Sequence, residues 1–295
     1  HIYTRGNRMD YDGWAQRGNH GWGYADVLPY FRRSESRIGE GDDTFRGREG
    51  PLKVTNIDWS HPLTEAFIEG VQTLGIPKAY DYNGAKQEGV TYSQRTIANG
   101  RRMSAARAFL RPAMKRGNVR VITNAQATRI LLDGKRATGI EYKKGGRNGK
   151  THQVMASREV LLCGGVINSP QLLQISGIGS PELLNRLGIK VLHALPGVGE
   201  NLRDHYAPRF TVRVKNIDSI NEKARGLKLL GEIAKWGLTR KGILSLSPTL
   251  VYCFWRSNPY IENNDVQFTF TPASYKEGVQ SELDNYPGMT IAAWQ

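Results

Sequence analysis

The stretch LLCGGVINSPQLLQISGIGSPELLNRLG, residues 161–188, constrains the fold most strongly. An apolar run ends at Cys163, Gly164 and Gly165, and an amphipathic segment follows, which predicts a strand, a tight turn and a helix. Such a turn lets a ligand approach the backbone, and the helix N-terminus attracts anions. Close packing without a ligand is the other interpretation. The G-x-G-x-x-G loop of a dinucleotide site occurs nowhere in the chain.

A second glycine-rich turn, LPGVGENLRDH, follows about thirty residues later. Two such turns, each after a predicted strand, fit one extended phosphate-bearing cofactor better than two unrelated turns. The same stretch contains Asp204 and His205. Adjacent side chains of an extended segment point apart, so Asp204 is poorly placed to orient His205 as a general base. We therefore favour a structural, hydrogen-bonded pair over a catalytic one.

The chain is strongly basic, with 41 Lys and Arg against 27 Asp and Glu. Nucleic-acid binding would require clustered cations interleaved with aromatic residues. Here the cations are spread from Arg5 to Lys276, and the densest cluster, residues 100–120, reads mainly as a helix with an exposed basic face. We interpret them as a solvated surface and expect no nucleic-acid partner. Attraction of an anionic cofactor or an anionic membrane surface is the second interpretation.

Neither a disulfide nor a metal site is expected. Cys163 and Cys253 lie far apart in apolar contexts, which predicts buried, reduced thiols and a cytoplasmic protein. The six histidines have no metal-ligand spacing. No apolar run approaches the roughly 18 residues of a membrane span. Because the chain begins with His and ends within an apolar, strand-like run, we expect it to be a piece of a longer chain.

Local signals predict the secondary structure in segments. We expect helices over residues 24–34, 61–75, 103–115, 180–188 and 222–240, and another after the glycine turn that breaks at 176–177. We expect strands over 51–56, 89–100, 118–144, 149–163, 248–256 and 265–272, hairpin turns at 133–134 and 145–149, and a surface loop over 38–50. The helix over 222–240 is amphipathic and basic. We expect Leu227, Leu230, Ile233 and Leu238 to pack against the protein, with contact to a membrane surface as the alternative.

Five stretches follow one another in a characteristic order: HIYTRGNRMDYDGWA, GRRMSAARAFLRPA, GGVINSPQLLQISGIG, LPGVGENLRDH and NDVQFTFTP. Together they resemble the glucose–methanol–choline (GMC) family of flavin oxidoreductases, especially its bacterial alcohol and choline dehydrogenases, over essentially the whole chain. Val166 departs from the family pattern, which usually has a small residue such as Ala there.

The resemblance implies an α/β (α+β) protein with FAD as its cofactor. An incomplete Rossmann-like FAD-binding domain would take residues 1–51 and 101–205, its N-terminal G-x-G-x-x-G unit lying upstream. A substrate domain with an antiparallel sheet would take residues 52–100 and 206–295. A change of pattern near residues 206–210 agrees with the second boundary.

The resemblance also implies which residues contact the cofactor. His1 and Ile2 match positions that line the flavin ring, and Ala127 matches a position whose backbone contacts the adenine. The turn of residues 163–165 matches the one near the adenosine. Asn201 and Asp204 lie on a segment expected near the cofactor. The family's catalytic histidine, and its His or Asn partner, are expected downstream of Gln295, so no residue here is assigned as catalytic.

The activity implied is oxidation of an alcohol, choline or aliphatic, by hydride transfer to flavin N5. The electron acceptor is left open among a quinone, a dye and oxygen. Two other functions fit the same fold: a hydroxynitrile lyase, which keeps the flavin without using it for redox chemistry, and a non-catalytic binding module. Four aromatic residues are available for a trimethylammonium group, although strand aromatics more often form a core: Tyr252, Trp255, Phe268 and Phe270.

Overall fold

The computed structural model describes residues 1–146, 148–278 and 282–295. They form two compact units, one of residues 1–118 with 205–295 and one of residues 119–204. Helices and mainly antiparallel sheets occur in both units, as the sequence predicted. The domain boundaries expected from the sequence stay a prediction.

The elements follow in chain order. Residues 1–118 form α1 (Arg8–Gln16), α2 (Tyr24–Ser34), β1 (Glu35–Arg37), β2 (Leu52–Val54), α3 (Pro62–Thr73), β3 (Gly89–Tyr92), β4 (Ile97–Ala98), β5 (Arg101–Arg102), a π-helical turn (Ala106–Leu110) and α4 (Arg111–Met114). Residues 119–204 form β6 (Ala125–Asp133), β7 (Arg136–Lys144), β8 (Lys150–Met155), α5 (Gly165–Ile175), β9 (Ile178–Gly179), α6 (Pro181–Arg186) and β10 (His193–Ala194). The remainder forms β11 (Arg209–Arg213), α7 (Ile220–Lys223), α8 (Gly226–Thr239), a 3-10 turn (Ile243–Ser245), β12 (Val251–Trp255), β13 (Val266–Thr271) and β14 (Gly288–Trp294).

A five-stranded antiparallel sheet organises the first unit, in the order β11-β14-β13-β12-β3. Because side chains alternate between its faces, Val251 and Phe270 point to one side and Tyr252 and Phe254 to the other. The first side packs on α3, where the rings of Phe67 and Phe270 stack with centroids 4.6 Å apart. This contact forms the main core of the unit, and the opposite face of the sheet lies outside it.

Helix ends follow the local signals closely. The predicted helix over residues 24–34 is α2, and α6 begins at the predicted cap, where Ser180 Oγ accepts a hydrogen bond from the Leu183 amide at 3.5 Å. Pro181 occupies the first helical position, and Gly188 follows the helix with a φ of 67°. The predicted helix over 103–115 is confirmed from Ala106 to Met114, with a π-helical first turn.

The second unit is built on the sheet β6-β7-β8. The hairpin predicted at Asp133 and Gly134 is confirmed, with Gly134 at a φ of 56°. The hairpin predicted over residues 145–149 also joins two paired strands, although Arg147 lies outside the described residues. The strand expected to end at Cys163 is wrong: residues 156–163 form no regular element. A strand needs a hydrogen-bonded neighbour, and none of the described strands pairs with this segment.

Helix α8 packs against the rest of the first unit with a different face from the one expected. Trp236 and Glu232 turn inward, whereas the predicted core residues point outward and are exposed: Leu227, Leu230, Ile233 and Leu238. That prediction is wrong because an apolar period identifies a helix but not which side of it meets the protein. No described helix combines the length and the apolar character needed to cross a membrane.

Candidate functional site

The N-terminal segment runs alongside residues 94–96 of the first unit. The Tyr3 amide donates to the Gln94 carbonyl at 2.8 Å, and the Thr96 amide donates to the His1 carbonyl at 2.8 Å. His1 Nδ1 also lies 3.0 Å from Thr96 Oγ1. These bonds hold His1 and Ile2, the two residues expected at the flavin ring, in extended conformation with side chains that remain accessible.

A buried ionic network anchors this segment. Glu35 accepts hydrogen bonds from Arg5 Nη2 at 2.5 Å and from the Arg46 guanidinium, and all three side chains are buried. Arg5 Nη1 donates to the Phe45 carbonyl at 2.6 Å. Arg46 lies in the segment predicted as a surface loop, so that prediction is wrong at this residue. A carboxylate between two guanidinium groups offsets the cost of burying three charges.

The network extends to Asp81. Arg46 Nη1 donates to Asp81 Oδ1 at 2.6 Å and to Gln94 Oε1 at 2.9 Å. Burial favours the neutral acid, but the charge of Arg46 and its hydrogen bond outweigh burial and lower the pKa of Asp81. Asn83 also belongs to this network, because its side-chain Nδ2 donates to the carbonyl of Tyr3 at 3.1 Å. The residues of this network carry no short sequence motif, and sequence reasoning missed them.

Tyr82 connects the segment to the open face of the five-stranded sheet. Its hydroxyl accepts from the Gln94 amide at 2.6 Å and donates to the Tyr3 carbonyl at 2.9 Å. Burial raises the pKa of Tyr82, so the phenol stays protonated. Its ring contacts Tyr252 edge-on at 5.8 Å and Phe254 at 5.5 Å between centroids. The N-terminal segment is thereby fixed against an aromatic part of the sheet.

A cavity of about 800 Å³ adjoins this aromatic face. Its walls include Phe254 and Trp294 from the sheet, amide side chains such as Asn7 and Gln87, and the ring of His205. Most of the lining residues are polar, and Phe254, Trp294, Met9 and Val266 supply the apolar part. The volume lies in the usual range of small-molecule sites. Sequence reasoning missed Phe254 and Trp294. The registers of β12 with β13 and of β13 with β14 identify them, because both residues lie on the face opposite the core.

Three of the four aromatic residues considered for a trimethylammonium group lie on the core face of the sheet. Trp255, Phe268 and Phe270 share the face of Val251 and pack toward α3. Only Tyr252 lies on the open face. The alternative interpretation, that strand aromatics form the core, is therefore correct for those three.

His205 is held by the end of β14. Its Nδ1 lies 3.3 Å from the Gln295 carbonyl oxygen, and its ring is edge-on to Trp294 with centroids 6.4 Å apart. A ring nitrogen bonded to a backbone carbonyl supports a structural role for this histidine. The predicted pairing with Asp204 stays a prediction. In the described part of the chain, no three His, Cys, Asp or Glu side chains are grouped as metal ligands would be.

The glycine turn of the second unit has a specific backbone conformation. Gly165 begins the eleven-residue helix α5 with a φ of 83°, in the left-handed region that L side chains rarely adopt. Apart from its chain neighbours and the backbone of its own helix, no described atom lies within 4 Å of where its Cβ would stand. Close packing therefore does not explain Gly165, whereas it does explain Gly164, whose Cβ would lie 3.2 Å from the Ser169 amide. Gly165 leaves open space over the first turn of a helix.

The second glycine-rich turn packs at the other end of α5. Gln174 Nε2 donates to the Val198 carbonyl at 3.1 Å, and a Cβ on Gly199 would lie 2.5 Å from that nitrogen. With a rise of 1.5 Å per residue, the two turns stand roughly 14 Å apart along the helix. The two predicted turns therefore lie at opposite ends of α5. Gly199 is explained by its packing against Gln174.

The other predicted cofactor residues of this unit are dispersed. Ala127 of β6 pairs with Tyr142 of β7. It lies next to a register shift between the two strands. Asn201 has a φ of 57°, and both it and Asp204 are exposed. Cys163 is exposed rather than buried, because the segment before it is not covered by a paired strand; Cys253 is buried, as predicted.

Apolar side chains surround the Gly165 turn on the surface of the second unit. Leu161, Val166 and Ile167 are all more than half exposed. Single exposed apolar residues are common, but a group of them beside an open helix N-terminus is typical of a binding surface.

A family model described as GMC oxidoreductase matches residues 1–207, more than two thirds of the chain. The human mitochondrial choline dehydrogenase is 41% identical over 275 residues, covering 92% of this chain and 45% of that protein. An oxygen-dependent choline dehydrogenase of Photobacterium profundum is 40% identical over 288 residues, covering 97% of this chain and 50% of that protein. This chain thus spans about half the length of these curated relatives.

The fold itself matches solved structures. A pyridoxine 4-oxidase from Mesorbium loti superimposes with a TM-score of 0.80 at 26% identity, covering 99% of this chain and 53% of that one. The predicted fold class and the resemblance stated from the five sequence stretches are both confirmed.

Proposed function

We propose, because this chain belongs to the GMC oxidoreductase family, that the complete protein is an FAD-dependent oxidoreductase that oxidises a CH–OH group. The substrate class is a small alcohol, choline or aliphatic. One observation in the structure carries the proposal furthest: Gly165, within the matched residues, adopts a left-handed φ of 83° and leaves the first turn of α5 uncovered.

The residues of the turn fit an anionic part of FAD. The first-turn amides of a helix attract negative charge, and a Cβ at residue 165 would stand in the space above them. The exposed apolar residues beside the turn would receive the less polar adenine. His1, Ile2, Ala127, Asn201 and Asp204 remain proposed contacts. The partition of the chain into FAD-binding and substrate domains is part of the same proposal.

FAD, when bound, supplies the hydride acceptor for oxidation of the alcohol carbon. The chain's own contribution is positional. The network of Arg5, Glu35 and Arg46 holds the N-terminal segment, and Tyr82 holds it against the sheet as a neutral hydrogen-bonding group. A fixed segment at the edge of a partly apolar cavity orients a substrate and limits the access of water. We assign the role of proton acceptor to no residue of this chain.

The cavity beside Phe254 and Trp294 is the proposed binding place for the alcohol. The rings of Phe254 and Trp294 would contact an aliphatic chain, or a quaternary ammonium group through cation–π attraction. Oxygen is the electron acceptor we propose to test first, with a quinone or an artificial dye as the other acceptors. A cytoplasmic location, with contact to a membrane surface, completes the proposal.

The test uses the complete protein. We expect a flavin absorbance spectrum after purification, and bleaching of that spectrum when choline or an aliphatic alcohol is added without oxygen. Reduction of a dye should then follow the alcohol concentration. A flavin spectrum without bleaching by any alcohol would support a lyase instead, and a complete protein that never binds flavin would indicate a non-catalytic module.

A further inference from the structure

Two turns of the first unit approach each other at the end of α8. Residues 99–100 join β4 to β5, and both have positive φ values, 52° at Asn99 and 61° at Gly100. Arg240 ends α8 with a φ of 61°. A Cβ on Gly100 would lie 2.2 Å from the Arg240 carbonyl oxygen, so only glycine permits this contact. Left-handed residues other than glycine are uncommon, and they cluster at ligand sites.

Two guanidinium groups beside these turns are held in place by other residues. The guanidinium carbon of Arg240 lies 4.4 Å from the ring centroid of Trp236. Trp236 is itself fixed, because its Nε1 donates to the Gly100 carbonyl at 2.9 Å. Arg107 is half-buried, and its Nη1 donates to the Arg102 carbonyl at 3.4 Å. Both groups therefore lose less conformational freedom when they bind an anion.

A cavity of about 310 Å³ lies between these elements, and every charged residue of its lining is a cation. The four cations come from four separate elements: Lys53 of β2, Arg101 of β5, Arg107 of the π-helical turn and Arg240 at the end of α8. None of the four has a salt-bridge partner among residues 1–146, 148–278 and 282–295. Arg101 and Arg107 belong to the densest basic cluster of the sequence, and the fold brings two distant cations to them.

The composition of this cavity favours a phosphate group as its ligand. The four cations repel one another, and an anion among them turns that repulsion into attraction. Three of the four are arginines, whose planar guanidinium groups bind phosphate oxygens through pairs of parallel hydrogen bonds. The volume lies at the lower end of the range for small-molecule sites, which suits a phosphate with a few carbon atoms rather than a dinucleotide.

We propose that this cationic cavity binds the phosphate group of a small soluble molecule, either inorganic phosphate or a phosphomonoester. A lipid phosphate fits less well, because the exposed Leu227 and Leu238 lie roughly 160–180° around α8 from Trp236, away from the cavity. A nucleic acid would need a stripe of cations, whereas these four surround one point. The cavity shares no lining residue with the one proposed for the alcohol, and the inference does not depend on the redox function.

Calorimetric titration of the complete protein with inorganic phosphate tests the site, with FAD in excess so that phosphate does not occupy a flavin site. We expect saturable binding that acetate at the same ionic strength does not reproduce. Arg101→Gln combined with Arg107→Gln should weaken phosphate binding by roughly tenfold or more, because charge-assisted hydrogen bonds are lost. Arg17→Gln combined with Arg116→Gln removes the same charge from exposed residues outside the cavity and should leave the affinity unchanged. Equal affinities of the two double variants would overturn the proposal.

Thermal unfolding separates a loss of binding from a loss of folding. Without phosphate, the Arg101 and Arg107 double variant should unfold at no lower temperature than the unchanged protein, because the substitutions remove mutual repulsion. Saturating phosphate should raise the unfolding midpoint of the unchanged protein and of the control variant, but not that of the cavity variant. An equal rise in all three proteins would place the anion elsewhere. A lower midpoint of the cavity variant without phosphate would assign the two arginines to the fold, and either result would contradict the proposal.

Competition identifies the source of the phosphate group. Glycerol 3-phosphate should displace inorganic phosphate from the complete protein, whereas vesicles of phosphatidylglycerol at the same phosphate concentration should not. Displacement by the vesicles and not by glycerol 3-phosphate would assign the cavity to a lipid surface and overturn the proposal. Saturable phosphate binding that the cavity variant loses and the control variant keeps confirms the proposal, whether or not the protein oxidises alcohols.

Discussion

Arg46 and Glu35 form an ion pair from which solvent is excluded, with neither side chain exposed. Glu35 follows α2 directly, and Arg46 belongs to the loop that leads to β2. The pair fixes this loop beneath the N-terminal segment through Arg5, which shares the same carboxylate. An interior link between three distant parts of the chain has direct consequences for stability.

Glu35→Gln should strongly destabilise the first unit. The substitution leaves Arg5 and Arg46 buried without a neutralising carboxylate, and breaking such a pair costs roughly 3–5 kcal/mol. Urea denaturation measures the change. Glu282→Gln, which removes the partner of Lys276 on the surface, should leave the denaturation midpoint unchanged. A loss below about 1 kcal/mol for Glu35→Gln would mean that water solvates the site.

His61 should make stability depend on pH. Its Nδ1 accepts from the Leu63 amide at 3.3 Å and caps α3, which only the neutral ring can do. Burial, followed by the charge of Lys223, lowers the pKa of His61 from 6.5. The folded state then binds fewer protons than the unfolded state, so the stabilisation is present above pH 6.5 and is lost as pH falls from 6.5 through the lower folded value.

The variant His61→Asn keeps a capping side chain without a titrating group. Thermal unfolding across a pH series should give a flatter profile below pH 6.5 for this variant, whereas His20→Asn, at an exposed residue, should retain the slope. Identical slopes for all three proteins would mean that His61 does not govern the acid side of the profile.

Gly165→Ala should reduce the flavin content of the complete protein. A Cβ at a φ of 83° costs about 1–2 kcal/mol and enters the space proposed for FAD. Gly188→Ala is the control, because Gly188 has a φ of 67°, no described atom near its Cβ, and a place after α6. Both should lower stability by a similar amount. Equal flavin content in the two variants would remove residue 165 from the proposed site.

The two cysteines should differ sharply in reactivity. Burial raises the pKa of Cys253 to about 12, so almost no thiolate is present near neutral pH, whereas Cys163 is exposed. Iodoacetamide followed by peptide mapping should label Cys163 in the native protein and Cys253 only after denaturation. Adding FAD to flavin-depleted complete protein should slow labelling of Cys163. A rate that FAD leaves unchanged would separate Cys163 from the cofactor.

Features set by neighbouring residues were predictable from the sequence. The cap at Ser180 and the stop at Gly188 each depend on a few adjacent residues, as does the hairpin at Gly134. The five family stretches indicated the fold class, because they are distributed along the whole chain and resemble one family in the same order.

Features that depend on distant partners were not predictable in this way. The apolar run before Cys163 has the composition of a strand, but it is not paired with any described strand. The period of α8 did not reveal that Trp236 would face the protein and Leu227 the solvent. Arg46 became a buried residue only through Glu35 and Asp81, which lie 11 and 35 positions away.

The order of the five-stranded sheet also affects how the chain folds during synthesis. Tyr92 of β3 pairs with Val251 of β12, about 160 residues later. At roughly 5–20 residues per second, a ribosome needs about ten to thirty seconds to deliver that neighbour. Until then, Val90 and the apolar side of α3 lack the sheet that covers them. The nascent chain therefore passes through a period in which a chaperone would find an exposed strand edge and an uncovered helix.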